Sequence, residues 1–209
     1  MSAVSEMPHK AGGTERLLLR EFVHRMNNEF ASAIGAVSVA ECRCDSSEAK
    51  AVLASVRNRL TSHAYVQRSL QVPEYNTTID LAPYLHQLCR AISESRLASA
   101  GIELSLSIFP VKMTSDRCWV LGLIVFELIA NAARHAFGAG GGGEICLQLL
   151  SAGGSIACCI TDNGSCAETW SPGRGTAIVE ALVSSLDGTV DRRFGPDGST
   201  TVVRLPIAD

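Results

Sequence analysis

The 209-residue sequence contains no uninterrupted apolar run of the roughly 18–20 residues that a bilayer crossing requires. The longest candidate, Trp119 to Ala133, is broken by Glu127 and Asn131. The opening, Met1 to Thr14, lacks the apolar core of a signal peptide, and residues 1–13 read as a disordered lead-in. Charge of one sign is also lacking. The 18 Lys and Arg against 21 Asp and Glu leave a formal net charge of −3, which argues against a dominant nucleic-acid-binding surface. There is no internal repeat. These absences predict a soluble, cytosolic chain with no membrane span and no membrane sensor of its own. What is present is core material: 46% hydrophobic and 19% charged residues exclude a mostly disordered chain. The length fits one large domain or two small ones.

Cysteine is plentiful, with 8 residues. A disulfide framework belongs to short secreted chains, and nothing here indicates secretion. Cys158 and Cys159 lie in an apolar strand-like run, where Cys acts as a small hydrophobe. Cys42-Arg43-Cys44 could suggest a metal but has no second ligand pair nearby. Reduced, structural thiols are the expectation.

Hydrophobic spacing divides the chain in two. From Glu15 to Ala40, Leu19, Phe22/Val23, Met26, Phe30, Ala33/Ile34 and Val37 recur at helical spacing. Cys42-Arg43-Cys44 reads as a turn. Asp45-Ser46-Ser47-Glu48 has capping-box spacing and starts a second helix, with a stripe of Val52/Leu53, Val56, Leu60, Ala64 and Val66. Such a hairpin, assigned to residues 14–72, cannot bury both stripes alone. It is expected to pair with a second copy into a four-helix bundle.

Val72 to Asn76 breaks the pattern. Beyond it, residues 77–209 read as mixed strands and helices. Strands are expected at Thr77–Asp80, Ile102–Ile108, Glu144–Leu150, Ser155–Thr161 and Thr200–Leu205. Helices are expected at Leu81–Ser99, from Thr114 or Ser115 to Phe137, and at Thr176–Leu186 before a last hairpin. Gly138 to Gly143 is a flexible connector. The pattern suggests a sheet covered on one face by helices, giving an α+β chain overall.

Four groups of residues could carry chemistry. Arg20, His24 and Asn28 share one ridge of the first helix at i, i+4, i+8, flanked by Arg25 and Asn27. This can be an incidental solvated face. It can also present a nucleophilic imidazole, since neutral His keeps a free lone pair and cationic neighbours attract a phosphoryl group. Glu127, Asn131 and His135 repeat the same spacing on an apolar helix. A stripe facing water is one reading; a site for a divalent cation and phosphates is the other, because Mg²⁺ prefers oxygen ligands such as the Asn131 amide oxygen. Ile160-Thr161-Asp162-Asn163-Gly164 ends a strand in an Asp. It is either an ordinary turn or an acceptor for an exocyclic amine such as that of adenine. Gly173-Arg174-Gly175-Thr176 leads into a helix whose N-terminal N–H groups can bind phosphate.

Taken in order, His-Arg-Met-Asn-Asn, Glu-Leu-Ile-Ala-Asn-Ala-Ala-Arg-His-Ala, Asp-Asn-Gly and Gly-Arg-Gly-Thr-Ala-Ile-Val resemble a bacterial histidine kinase from about Leu17 to Pro206. The His-Arg opening, with Arg57-Asn58-Arg59 and His63, looks like the subfamily related to the HWE kinases. The resemblance implies a dimerising helical hairpin followed by a Bergerat-type ATP-binding sandwich. It implies that His24 is phosphorylated, with Arg25 and Asn28 in the same catalytic motif. By the same resemblance Glu127, Asn131 and His135 line the nucleotide site, Asn131 holds Mg²⁺ and Asp162 holds adenine. Gly164, Gly173, Gly175 and Thr176 then shape the nucleotide loops. The implied cofactors are ATP and Mg²⁺. The implied partners are a response-regulator receiver domain, a second copy of the chain, and a separate sensor or upstream protein. Two departures stand out: Cys166 replaces the second Gly of Asp-x-Gly-x-Gly, and few residues separate Gly164 from Gly173. They leave open an ATP-independent phosphotransfer adaptor. An anti-sigma-factor-like serine kinase is a further alternative, opposed by the hairpin with its His24.

Overall fold

The computed structural model describes residues 11–71, 77–137, 142–165 and 174–207, and for residues 11–20, 22–24 and 174 the backbone alone. The chain divides into two compact units, Met1–Val72 and Pro73–Asp209.

The first unit is a helical hairpin of α1 (Ala11–Arg43) and α2 (Ser47–Ser69). α1 is longer at both ends than its apolar stripe suggests. Residues 11–13, expected in the disordered lead-in, are helical, and Cys42 and Arg43, expected in the turn, belong to the helix. Winding continues because Cys44 N still reaches Glu41 O at 3.4 Å. Ser46 then caps α2, its Oγ accepting from Ala49 N at 3.3 Å. Near the turn, Arg57 Nη1 lies 3.3 Å from Glu41 Oε2 and ties the helices together. In α2 Ser62, Ala64 and Val66 are buried. The tip-proximal half differs: Val52 is 59% exposed, Val56 42% and Val39 50%.

The second unit starts with β1 (Thr78–Asp80), which pairs antiparallel with β3 (Lys112–Thr114). Asp80 caps α3 (Leu81–Ile92) by accepting from Ala82 N at 3.0 Å. Leu81, Leu85, Leu88 and Ile92 form its buried stripe. The single helix expected to Ser99 changes form here. It passes into a π-turn, Ser93–Leu97, and a 3₁₀ turn, Ala98–Ala100. Gly101 at φ +67° stops it in the left-handed region that glycine adopts without strain.

The main sheet comprises β2 (Ile102–Ile108), β4 (Gly143–Ala152), β5 (Ser155–Asp162), β6 (Thr189–Gly195) and β7 (Gly198–Pro206), in the order β2-β4-β5-β7-β6. β2 is parallel to β4 and the other pairs are antiparallel. Alternation sends Ile145, Leu147 and Leu149 of β4, Ile156, Cys158 and Ile160 of β5, and Val203 and Leu205 of β7 into the core. There they join buried residues of α3, α4 (Ser115–His135) and α5 (Arg174–Ser184). Glu144, Gln148 and Leu150 on the other face of β4 are exposed. The expected two-layer sandwich is therefore present. By length and composition α4 could cross a membrane, but Leu121, Ile124, Val125 and Ile129 have no exposed surface, as in a core helix.

Two strands escape the sequence pattern. β3 is three residues long and follows Phe109-Pro110. β6 is an edge strand with no buried residue, so its alternation is faint.

Candidate functional site

Past its polar first turn, Ser115 to Arg117, α4 is apolar until a ridge near its C-terminal end, where Glu127 and Asn131 are half-buried and His135 is exposed. Asn131 Oδ1 accepts from Arg134 Nη1 at a long 3.5 Å. The start of α5 lies against the same ridge. A Cβ on Gly175 would sit 2.9 Å from Asn131 Nδ2 and 3.3 Å from Glu127 Oε2. A side chain here would push the Asn131 amide aside, and glycine avoids that. A helix N-terminus with its partial positive charge is thus set beside an amide and a carboxylate. Thr176, next along α5, is half-buried.

β5 brings the third component. Its alternation puts Asp162 on the core side with Ile160, and the residue is only 5% exposed. A buried carboxylate needs donors. Oδ1 accepts from Gly164 N at 3.1 Å and Ser199 N at 3.3 Å, and Oδ2 accepts from the Ser199 hydroxyl. A carboxylate offers about four lone-pair positions, so capacity remains for a donor from a ligand.

The surrounding glycines explain the close packing. A Cβ on Gly164 would meet Ala136 O at 2.2 Å, and Ser165 N donates to that oxygen at 3.0 Å. Gly198, at φ +130°, brings the β6–β7 turn onto the Asp162 carbonyl. Asn163 fixes the turn from the other side, its Oδ1 accepting from Glu144 N at 2.7 Å. The turn after Asp162 and the N-terminus of α5 therefore converge on the C-terminal half of α4. That arrangement can hold an amine-bearing ring at Asp162 and an anion at the helix N-terminus. The hard oxygen donors of Asn131 and Glu127 suit Mg²⁺.

Gly198, Ser199 and Arg134 were not singled out from sequence. The Pro-Asp-Gly-Ser stretch carries only a turn signal, and its contact with Asp162 needs the β5–β7 pairing. Gly173 and Cys166 lie outside the described residues. His24 lies within α1, its side chain outside the described set. Arg25 is exposed and pairs with Glu21 at 2.9 Å, and Asn28 is exposed.

The thiols have a different place. Cys89, Cys118 and Cys158 are fully buried and free. Burial pushes Cys89 and Cys118 up to about 12 and raises Cys158 as well. Burial, aided by Cys118 and Cys89, also raises the Tyr84 phenol. Buried thiols of this kind stay protonated and unreactive.

Residues 21–96 match a family model described as "Histidine kinase". Blue-light-activated histidine kinase 1 of Erythrobacter litoralis is 24% identical over 207 residues, covering 93% of this chain and 54% of its own length. Sensor histidine kinase PdtaS of Mycobacterium tuberculosis is 24% identical over 206 residues, covering 90% of this chain and 39% of its own. The chain thus spans about half or less of these relatives. Among solved structures, the histidine kinase domain of the Erythrobacter litoralis EL346 blue-light-activated kinase superposes with a TM-score of 0.61 at 20% identity, covering 86% of this chain and 96% of that one. Acinetobacter baumannii histidine kinase AdeS gives 0.55 at 17% identity, covering 88% and 97%. These structures share the fold of both units.

Proposed function

We propose that this chain, similar to sensor histidine kinases, is a histidine kinase of the HWE-related kind and the catalytic core of a two-component phosphotransfer system acting in the cytoplasm. The His24 imidazole attacks the γ-phosphate of ATP, the γ-phosphoryl–oxygen bond to ADP breaks, and the phosphoryl group rests on His24. It then passes to an aspartate of a response-regulator receiver domain. Phosphoryl transfer of this type depends mainly on positioning and charge neutralisation.

One observation carries the proposal: Gly175 at the start of α5 lies against Asn131 and Glu127 of α4, while the Asp162 turn abuts the C-terminal end of α4. Asp162 is assigned to the adenine amine, and Asn131 with Glu127 to Mg²⁺. His135, Gly164, Gly173, Gly175 and Thr176 are assigned to the walls and loops around the nucleotide. Mg²⁺, when bound, neutralises charge on the phosphates. Arg25 and Asn28 flank His24 and are assigned to the same motif. The hairpin supplies the docking surface for the receiver and the contact with a second copy.

Two measurements test this. ATP titrated with and without Mg²⁺ is expected to bind, more tightly with the metal. Incubation with ATP is expected to give an acid-labile, alkali-stable label that His24→Ala abolishes without unfolding the chain. Binding without labelling removes the kinase step. No ATP binding, with phosphate still exchanged between His24 and a phosphorylated receiver, turns the second unit into a scaffold.

A further inference from the structure

α5 carries Gly175 at the ridge of α4 and, further along, Glu180. Glu180 Oε1 accepts from Arg192 Nη1 at 2.9 Å. Arg192 stands on β6 opposite the buried Thr201, on the helix-facing side of the sheet. Its side chain is 14% exposed while that of Glu180 is 56% exposed, and Arg192 Nη2 is buried with no partner among the described residues. The pair is therefore unequal. One member is anchored in the protein and the other belongs to the helix that approaches Asn131.

Among the described residues, α5 is also held by the buried Val179 and Val183. Apolar contact is non-directional. A hydrogen-bonded guanidinium is directional. A fully exposed ion pair would contribute little, but the Arg192 guanidinium is largely covered, with Nη2 buried, and losing its carboxylate partner leaves it poorly solvated.

We propose that Arg192 is a positioning residue for nucleotide binding: through Glu180 it sets the angle at which the N-terminus of α5 meets Asn131, and so the grip on the nucleotide's phosphates. This rests on the nucleotide site proposed above. It acts on the phosphate end alone, because Asp162 is held separately by Gly164 and Ser199.

The test titrates the full chain with ATP plus Mg²⁺ by calorimetry, and with adenosine by NMR, each well below the melting temperature of every variant. Glu180→Gln, an exposed and near-isosteric change, is expected to weaken ATP binding roughly three- to thirty-fold while leaving adenosine binding unchanged. The charge-swapped pair Glu180→Arg with Arg192→Glu is expected to recover part of the loss, beyond Arg192→Glu alone. Wild-type ATP affinity in Glu180→Gln overturns the proposal, as does an equal loss for adenosine, which would mark general damage. A wild-type chain that binds neither ligand overturns the nucleotide site itself, and the role of Arg192 with it.

Discussion

The carboxylate of Asp162 receives two backbone N–H groups and one hydroxyl in a site that is 5% exposed. Substitution by Asn replaces an acceptor-only group with one that carries two donors on one side. Asp162→Asn is expected to reduce ATP affinity on the order of ten- to a hundred-fold, the equivalent of the roughly 1.5–3 kcal/mol carried by a charged hydrogen bond. Calorimetric titration beside the wild type measures it; unchanged affinity removes Asp162 from the adenine site. The buried thiols give a prediction of a different kind. Cys89 and Cys118 are raised from 9.0 to about 12 in the folded chain. Above pH 9 the unfolded chain loses these protons while the folded chain keeps them, so alkali favours unfolding. Their contribution is fully present below pH 9 and is lost as pH rises towards 12. Thermal melts between pH 7 and 11 should show stability declining above pH 9, less steeply in a Cys89→Ala, Cys118→Ala variant.

Among the elements, α2 shows how local chemistry sets a boundary. Ser46 accepts from Ala49 N at 3.3 Å, and Lys50 N reaches Ser46 O at 3.0 Å. Ser46→Ala leaves an N-terminal donor to water and should cost about 1 kcal/mol. Urea unfolding of the chain, followed by helical circular dichroism, should show a lower midpoint with an unchanged slope. α1 and β5 illustrate the two outcomes of reading periodicity. β5 alternates strictly in burial from Ser155 to Asp162, and its expected strand needed only one more residue. α1 extends beyond its apolar stripe at both ends, because backbone hydrogen bonding continues where side-chain pattern has already stopped.

For the whole molecule, the outstanding surface is the hairpin's tip-proximal half. Val39, Val52 and Val56 are 50%, 59% and 42% exposed, while Ile34, Val37, Leu53 and Leu60 of the same helices are half-buried. A second copy laid along this half would bury them, forming the four-helix bundle proposed for the chain. Light scattering after size exclusion should give a dimer at micromolar concentration. Val56→Asp would place an unpaired charge in the seam at a cost of several kcal/mol and shift the population to monomer. A wild-type monomer under these conditions removes the bundle.

The sequence by itself determined the division near Val72, the two helices of the hairpin, the main strands of the core, and the residues of the α4 ridge. Each of these rests on local periodicity or on turn chemistry between near neighbours. It also marked Asp162 and Gly175 as special positions, without saying what they touch. Only the tertiary structure decided that Gly175 lies against Asn131 and that Ser199 holds Asp162. It also decided that Arg192 reaches Glu180. These contacts join different elements, and that of Ser199 with Asp162 follows from the β5–β7 register. A faint edge strand such as β6 acquires its position from pairing with its neighbour, since one uncovered face and a charged pattern give it no periodic signal of its own.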